Sequence, residues 1–245
     1  MDAATLTTLA GIVEYAVPVL FASIGENFTE KAGLTNLSVN GTIILAAMGS
    51  FVVALTTSSI LLGFLVGALI GALIAGIVAF SSITLKQSQV AIGFVLALLC
   101  RDLAYFLGAP YTNKPGVFLS KVPIPVLAEI PVIGPIFFNH SIVVYISYLF
   151  IIVAYIFMFK TRPGLMLQGI GERPTAAFVH GANVKGLRYL YTMIGGALVG
   201  LAGPMYSLAV KIGWAGQLSG LDGVGWIALA ITIFGGWNPL RVAFG

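Results

Sequence analysis

The sequence predicts an all-α, polytopic transmembrane helix bundle with about seven spans, some short or discontinuous, forming one domain over residues 1–245. Three observations predict it. Charged residues make up 8% of the chain and hydrophobic residues 59%, whereas soluble domains carry about 25% charged residues. Polar side chains are therefore too few to cover a water-facing surface. Seven apolar stretches approach the roughly 20 residues that a membrane-spanning helix needs. One cysteine excludes a disulfide scaffold, and the net charge of +4 is largely confined to one connection, which argues against a nucleic-acid partner.

The stretches run over residues 9–25, 41–56, 60–80, 90–107, 142–159, 189–210 and 220–237. The first and last are short and interrupted by polar residues or glycine. The N-terminus carries Asp2 and no Lys or Arg, so it lacks the charged region of a signal peptide. Residues 25–41 (GENFTEKAGLTNLSVNG) are moderately polar and glycine-punctuated. They read as irregular backbone, tolerable at membrane depth only where protein or a water-filled cavity satisfies it.

In the third stretch Gly63, Gly67, Gly71 and Ala75 recur every four residues, which puts four small side chains on one face for close helix approach. Gly196, Gly200 and Pro204 form a similar row in the sixth. Packing within the chain is the simpler use of these rows, and a dimer seam the alternative. Residues 108–140 hold six of the eleven prolines and cannot form a long helix. Their many apolar residues predict a compact cap, partly packed on the bundle.

Orientation follows from the connection 160–188, where Lys160, Arg162, Arg173, Lys185 and Arg188 face one acid, Glu172. By the positive-inside rule this connection is cytoplasmic. Counting spans outward puts Lys86 and Arg241 inside, and Lys114, Lys121 and the N-terminus outside.

Ionisable residues within spans are functional candidates. Arg101 and Asp102 fall about 9 Å inside the outer end of the fourth span, at ~1.5 Å rise per residue, and Glu14 lies at similar depth on the first. Neighbours on a helix point about 100° apart, so Arg101 and Asp102 are not expected to pair ideally. A Glu14–Arg101 pair near an outer gate is one reading; the other has Arg101 snorkelling to the headgroups while Asp102 pairs locally. For a substrate path the polar candidates are Asn27, Asn36, Asn40, Gln217, Ser219 and Asp222, with Trp214 and Trp226 nearby. Such groups suit hydroxyl-bearing solutes with apolar ring faces. Interfacial anchoring of Trp214 and loop satisfaction by Asn36 are the alternatives. His140 and His180 are isolated, so no metal site is expected, and Cys100 reads as a small apolar filler.

Four segments carry a resemblance: GENFTEKAGLTNLSVNGTIILAAMGSF (25–51), IPVLAEIPVIGPIFFNHSIVVY (124–145), GERPTAAFVHGANVKGLRYL (171–190) and GVGWIALAITIFGGWNP (223–239). Together they resemble the permease subunits of ABC importers for simple sugars and nucleosides, a branch that also includes branched-chain amino acid permeases. Asn40 departs from the pattern, since the family usually has an acid there. The resemblance implies two permease subunits, two ATPase subunits, and an external substrate-binding protein docking on loops such as 108–140. It also implies residence in the plasma (inner) membrane of a prokaryote. Family members have further spans, so the chain is expected to be incomplete at its C-terminus.

No phosphate-binding G-x-x-x-x-G-K-[ST] loop occurs. ATP, if used, belongs to a separate subunit, and this chain is expected to be neither an enzyme nor a cofactor carrier. The segment from Glu172 to Gly181 then suits a cytoplasmic lever docking that ATPase. Pro174 fits a first helical position, Glu172 lies near the positive end of the dipole, Ala176 and Ala177 allow close approach, and Gly181 closes the helix. The bland alternative is a short helix lying on the membrane surface. Competing functions are an ion-coupled secondary transporter using Glu14, Asp102 or Asp222, a channel or scaffold, and, within the ABC reading, a branched-chain amino acid permease.

Overall fold

The computed structural model describes residues 2–245, with backbone only at Ala3. Eleven α-helices are present among them: α1 Ala3–Lys31, α2 Val39–Thr57, α3 Ile60–Ala79, α4 Gln89–Gly108, α5 Ile133–Phe137, α6 Ile142–Lys160, α7 Arg162–Glu172, α8 Pro174–Val179, α9 Val184–Met205, α10 Val224–Phe234 and α11 Pro239–Phe244. Single π-helical turns extend α3 (Phe80–Thr84) and α9 (Tyr206–Val210). Seven segments are long and apolar enough to cross a membrane, so the chain is a multi-pass membrane protein.

Helix α1 corrects the sequence reading. It continues six residues past Gly25 to Lys31, leaving only residues 32–38 non-helical between α1 and α2. Gly25 is there for packing, not for a turn: a Cβ on it would fall 2.6 Å from Gly195 O and 2.9 Å from Val199 N of α9. The polar residues that follow are accommodated because Glu26, Asn27 and Thr29 are fully buried against protein while the helix satisfies their backbone groups.

Helices α2 and α9 form the centre, with 67% of an 18-residue apolar stretch in each buried, while α3, α4 and α6 present apolar side chains outward. The small-residue rows of α3 and α9 meet within the chain. A Cβ on Gly67 would approach Pro204 Cδ at 2.7 Å, and one on Gly71 would approach Gly200 N at 2.7 Å. One on Gly63 would reach Leu208 Cδ1 at 3.0 Å, and one on Gly196 would run into Ala75. The antiparallel helices thus match 63, 67, 71 and 75 against 208, 204, 200 and 196, and backbone contact replaces the hydrophobic drive that lipid does not supply.

After Gly108, which ends α4, the proline-rich segment has as its helical elements a 3-10 turn (Ala109–Tyr111) and the five-residue α5. Asn113 N–H donates to Trp214 O and Leu119 N–H to Leu208 O, both at 2.8 Å, which ties it to the bundle. His140 is buried; its Nε2 meets Ile136 O at 2.8 Å, and its N–H donates to Tyr145 Oη at 3.0 Å. Val122, Val126 and Ile133 are exposed, so the cap is packed only in part.

The last span is broken. After α9, residues 211–223 pass through one 3-10 turn (Gly216–Ser219) before α10 begins. Its 11 residues rise only about 16 Å, half a hydrocarbon core.

Candidate functional site

Helix α10 starts inside the protein, and its cap comes from another helix. Its own N-cap, Gly223, offers no side chain, yet the first N–H groups of a helix need acceptors. Asn40, in the first turn of α2 and 3% exposed, supplies one. Its Oδ1 accepts from Gly223 N at 2.9 Å and Gly225 N at 3.2 Å, while its Nδ2 donates to Asp222 Oδ1 at 2.7 Å. An amide fits this position because it accepts from the helix end and donates to a carboxylate at once.

Asp222 in turn faces Arg101, whose Nη1 lies 3.8 Å from Asp222 Oδ2 and whose Nε donates to Asp102 Oδ1 at 2.9 Å. The Glu14–Arg101 pair, one of the two readings of these charges, does not form, whereas Asp102 pairs locally as the other reading has it. Glu14 lies 3.7 Å from Lys121 of the proline-rich cap, whereas α4 packs on α2. Arg101 and Asp102 do pair, although they are immediate neighbours on α4. The Asp102 and Asp222 side chains are 65% and 48% exposed. Charged groups within spans face a bundle interior or a watery cavity rather than lipid. Phe94 of α4 and Trp226 of α10, both exposed, lie with ring centroids 5.3 Å apart and planes tilted by 30°.

The other sequence candidates lie elsewhere. Asn36 belongs to the 32–38 loop, where its Oδ1 accepts from Ser38 Oγ at 2.6 Å and Ser38 N at 3.1 Å. Trp214 is buried rather than interfacial; its ring lies 6.1 Å from Tyr105, and its indole N–H has no partner. Gln217 is exposed on the 3-10 turn, and Ser219 is buried beside it. Asn27 is fully buried with neither amide atom paired.

Sequence reasoning missed Glu26. Its carboxyl is fully buried; one oxygen accepts the Asn36 N–H at 2.8 Å and the other has no partner. An acid within a span was the available signal, and reading residues 25–41 as a loop hid it. Glu30, one turn on, accepts from the Trp237 indole N–H.

At the opposite end of α1 from Asp2, α7 and α8 replace the single lever of the sequence reading. Thr161 Oγ1 caps α7 by accepting from Gly164 N at 3.2 Å. Gly164, Leu167 and Ile170 turn inward, so α7 is an amphipathic helix anchored on the bundle. Glu172 is a correction: it ends α7, and its carboxylate lies 3.6 Å from Lys31 instead of serving the start of α8. Pro174 does open α8. Gly181 closes it with φ +85°, donating its N–H to Phe178 O at 2.9 Å while Ala182 N–H donates to Ala177 O at 3.0 Å. Ala176 is exposed and Ala177 half-buried; Phe178 and Val179 are 72% and 82% exposed. Grooves of about 610 and 540 Å³ flank the helix.

The family model described as "Branched-chain amino acid transport system / permease component" matches residues 8–245. The chain is 34% identical to the putative glucose ABC transporter permease protein TsgC13 of Haloferax volcanii, over 97% of this chain and 73% of that protein. It is also 34% identical to the nucleoside ABC transporter permease protein NupC of Lactococcus lactis, over 95% and 76%. The guanosine ABC transporter permease protein NupQ of Bacillus subtilis is 34% identical as well, over 92% and 74%. No solved structure matches. A bundle of apolar helices with a broken span, a match over nearly its whole length, and close similarity to ABC transporter permeases establish that this chain belongs to the branched-chain amino acid transport system / permease component family.

Proposed function

We propose that the chain is the permease subunit of a binding-protein-dependent ABC importer for nucleosides or simple sugars, in the plasma (inner) membrane of a prokaryote. It forms half of the translocation passage beside a second permease subunit, which can be the same chain or a homologue. It receives solute from an external substrate-binding protein and draws energy from a separate ATPase subunit, which holds the ATP; the permease itself catalyses no reaction. The observation that carries this reading is α8. A six-residue helix with exposed Phe178 and Val179, flanked by grooves and attached to the anchored α7, has the form of a lever awaiting a partner. By its basic surroundings that end is cytosolic.

On this reading the ATPase moves the lever, and the bundle alternates between outward-open and inward-open states. Asn40, Asp222, Arg101 and Asp102 line the passage with donors and acceptors for hydroxyl groups, and Phe94 and Trp226 offer faces for an apolar ring. Relatives named for glucose, nucleosides and guanosine favour sugars or nucleosides over branched-chain amino acids. The ion-coupled alternative is weakened because Glu14, Asp102 and Asp222 each have a cationic neighbour.

The test is co-purification of the tagged permease with the ATPase of a neighbouring reading frame, together with uptake of guanosine and glucose. Wild type retains the ATPase, and uptake follows ATP rather than ion gradients. Ala177→Asp and Gly181→Trp insert normally into the membrane but lose the ATPase. Ionophore-sensitive uptake without an ATPase, or undiminished co-purification of both variants, would overturn the assignment.

A further inference from the structure

We propose that Arg188 is a positioning residue that transmits lever displacement to the passage by clamping the end of α1; this rests on the permease reading above. The last carbonyls of a helix lack partners within it and carry its negative dipole end. At the end of α1, Arg188 Nε donates to Ala32 O at 2.9 Å and its Nη2 to Gly33 O at 2.5 Å. A planar guanidinium presents its donors in a rigid fork that suits two successive carbonyls, whereas a lysine ammonium is a compact charge on a flexible stem and holds them with less fixed geometry.

The clamp has a second jaw. Gly33, at φ +82°, lies between Arg188 and α7: a Cβ on it would be 3.2 Å from Arg188 Nη2 and 3.2 Å from Gly171 Cα. A Cβ on Gly171 would collide with Lys31 O. The end of α1 is thus gripped by the last turn of α7 and the first turns of α9, the helices immediately before and after α8. Arg188 also lines the groove shared with Pro174, Phe178 and Val179, so one side chain touches both the lever's surroundings and α1.

Beyond the clamp the chain runs directly to the candidate passage. Gly33 belongs to the 32–38 loop, whose Asn36 N–H holds Glu26, and the loop enters α2, where Asn40 holds Asp222 and the start of α10. Leu34 is buried, and Gly93 of α4 comes so close that a Cβ would be 2.9 Å from Leu37 N. A segment packed this tightly passes a displacement on instead of absorbing it.

The test uses the complete complex in liposomes, with its ATPase and binding protein, and guanosine or glucose as the transported probe. Arg188→Lys and Arg188→Gln are compared with wild type for complex yield, ATP hydrolysis and solute imported per ATP. Both variants are expected to keep complex yield and hydrolysis while import per ATP falls about ten-fold, within the 5–150-fold range of coupling between sites. A wild-type ratio in Arg188→Gln would overturn the proposal. So would a parallel fall of yield, hydrolysis and import in both Arg188 variants, which marks a residue needed only for folding. A wild-type protein that imports without ATP would sink the permease reading itself, and this inference with it.

Discussion

Replacing Asn40 by Asp is the sharpest probe of the α2–α10 junction. The Asn40 amide donates to Asp222 at 2.7 Å, and a carboxylate there converts that bond into a like-charge contact. Two unit charges about 4 Å apart interact by about 4 kcal/mol at an effective dielectric constant near 20. The lost hydrogen bond to a charged group adds about 1.5–3 kcal/mol. Arg101, 3.8 Å from Asp222, offsets part of the repulsion, so the net cost is on the order of 3–5 kcal/mol. For a chain of this size that lowers the melting temperature by roughly 10 °C. Fluorescence-detected size exclusion of the detergent-solubilised permease after heating reads this directly. The exchanged pair, Asn40→Asp with Asp222→Asn, restores a donor facing an acceptor and keeps an oxygen for Gly223 and Gly225. It should recover most of the loss. If Asn40→Asp melts like wild type, or the exchanged pair is as unstable as the single variant, Asn40 does not hold the start of α10 in the way described.

The α3–α9 seam makes a paired prediction for the same assay. Gly71→Val drives side-chain atoms into the backbone of Gly196 and Gly200 and should cost about 1–3 kcal/mol or more. Gly76→Ala, whose Cβ meets only Met193 side-chain atoms at 3.8 Å or beyond, should gain about 0.5–1 kcal/mol; equal effects at the two positions would contradict the packing. Tyr145→Phe leaves the His140 N–H without its acceptor and removes the donor near Phe138 O at 2.8 Å. It should loosen the proline-rich cap by about 1–3 kcal/mol, seen as faster cleavage there in limited proteolysis, and unchanged cleavage would show that the cap is held by other contacts.

Much of the architecture was legible because membrane helices announce themselves by length and apolarity. The matched rows Gly63, Gly67, Gly71 and Gly196, Gly200, Pro204 were visible as periodicity, and the structure pairs them within one chain. The residues most misread were Gly25 and Glu26. Glycine breaks a helix in water but permits backbone contact in a packed bundle, and only the position of Gly195 distinguishes the two uses. The same limit explains Arg101. Its depth followed from counting residues, but its partner depended on which helices are neighbours, and α2 rather than α1 lies against α4.

From the order of the residues alone it follows that this chain crosses a membrane repeatedly and that Pro174 and Gly181 bracket a short helix. Composition, local periodicity and turn chemistry act within a few residues, so they can be read along a line. That Asn40 caps α10, that Glu172 pairs with Lys31 and that Arg188 grips the end of α1 came from the packing of the helices. Each of those contacts joins residues far apart in the chain, and its partner is chosen by how the helices pack rather than by the residues on either side.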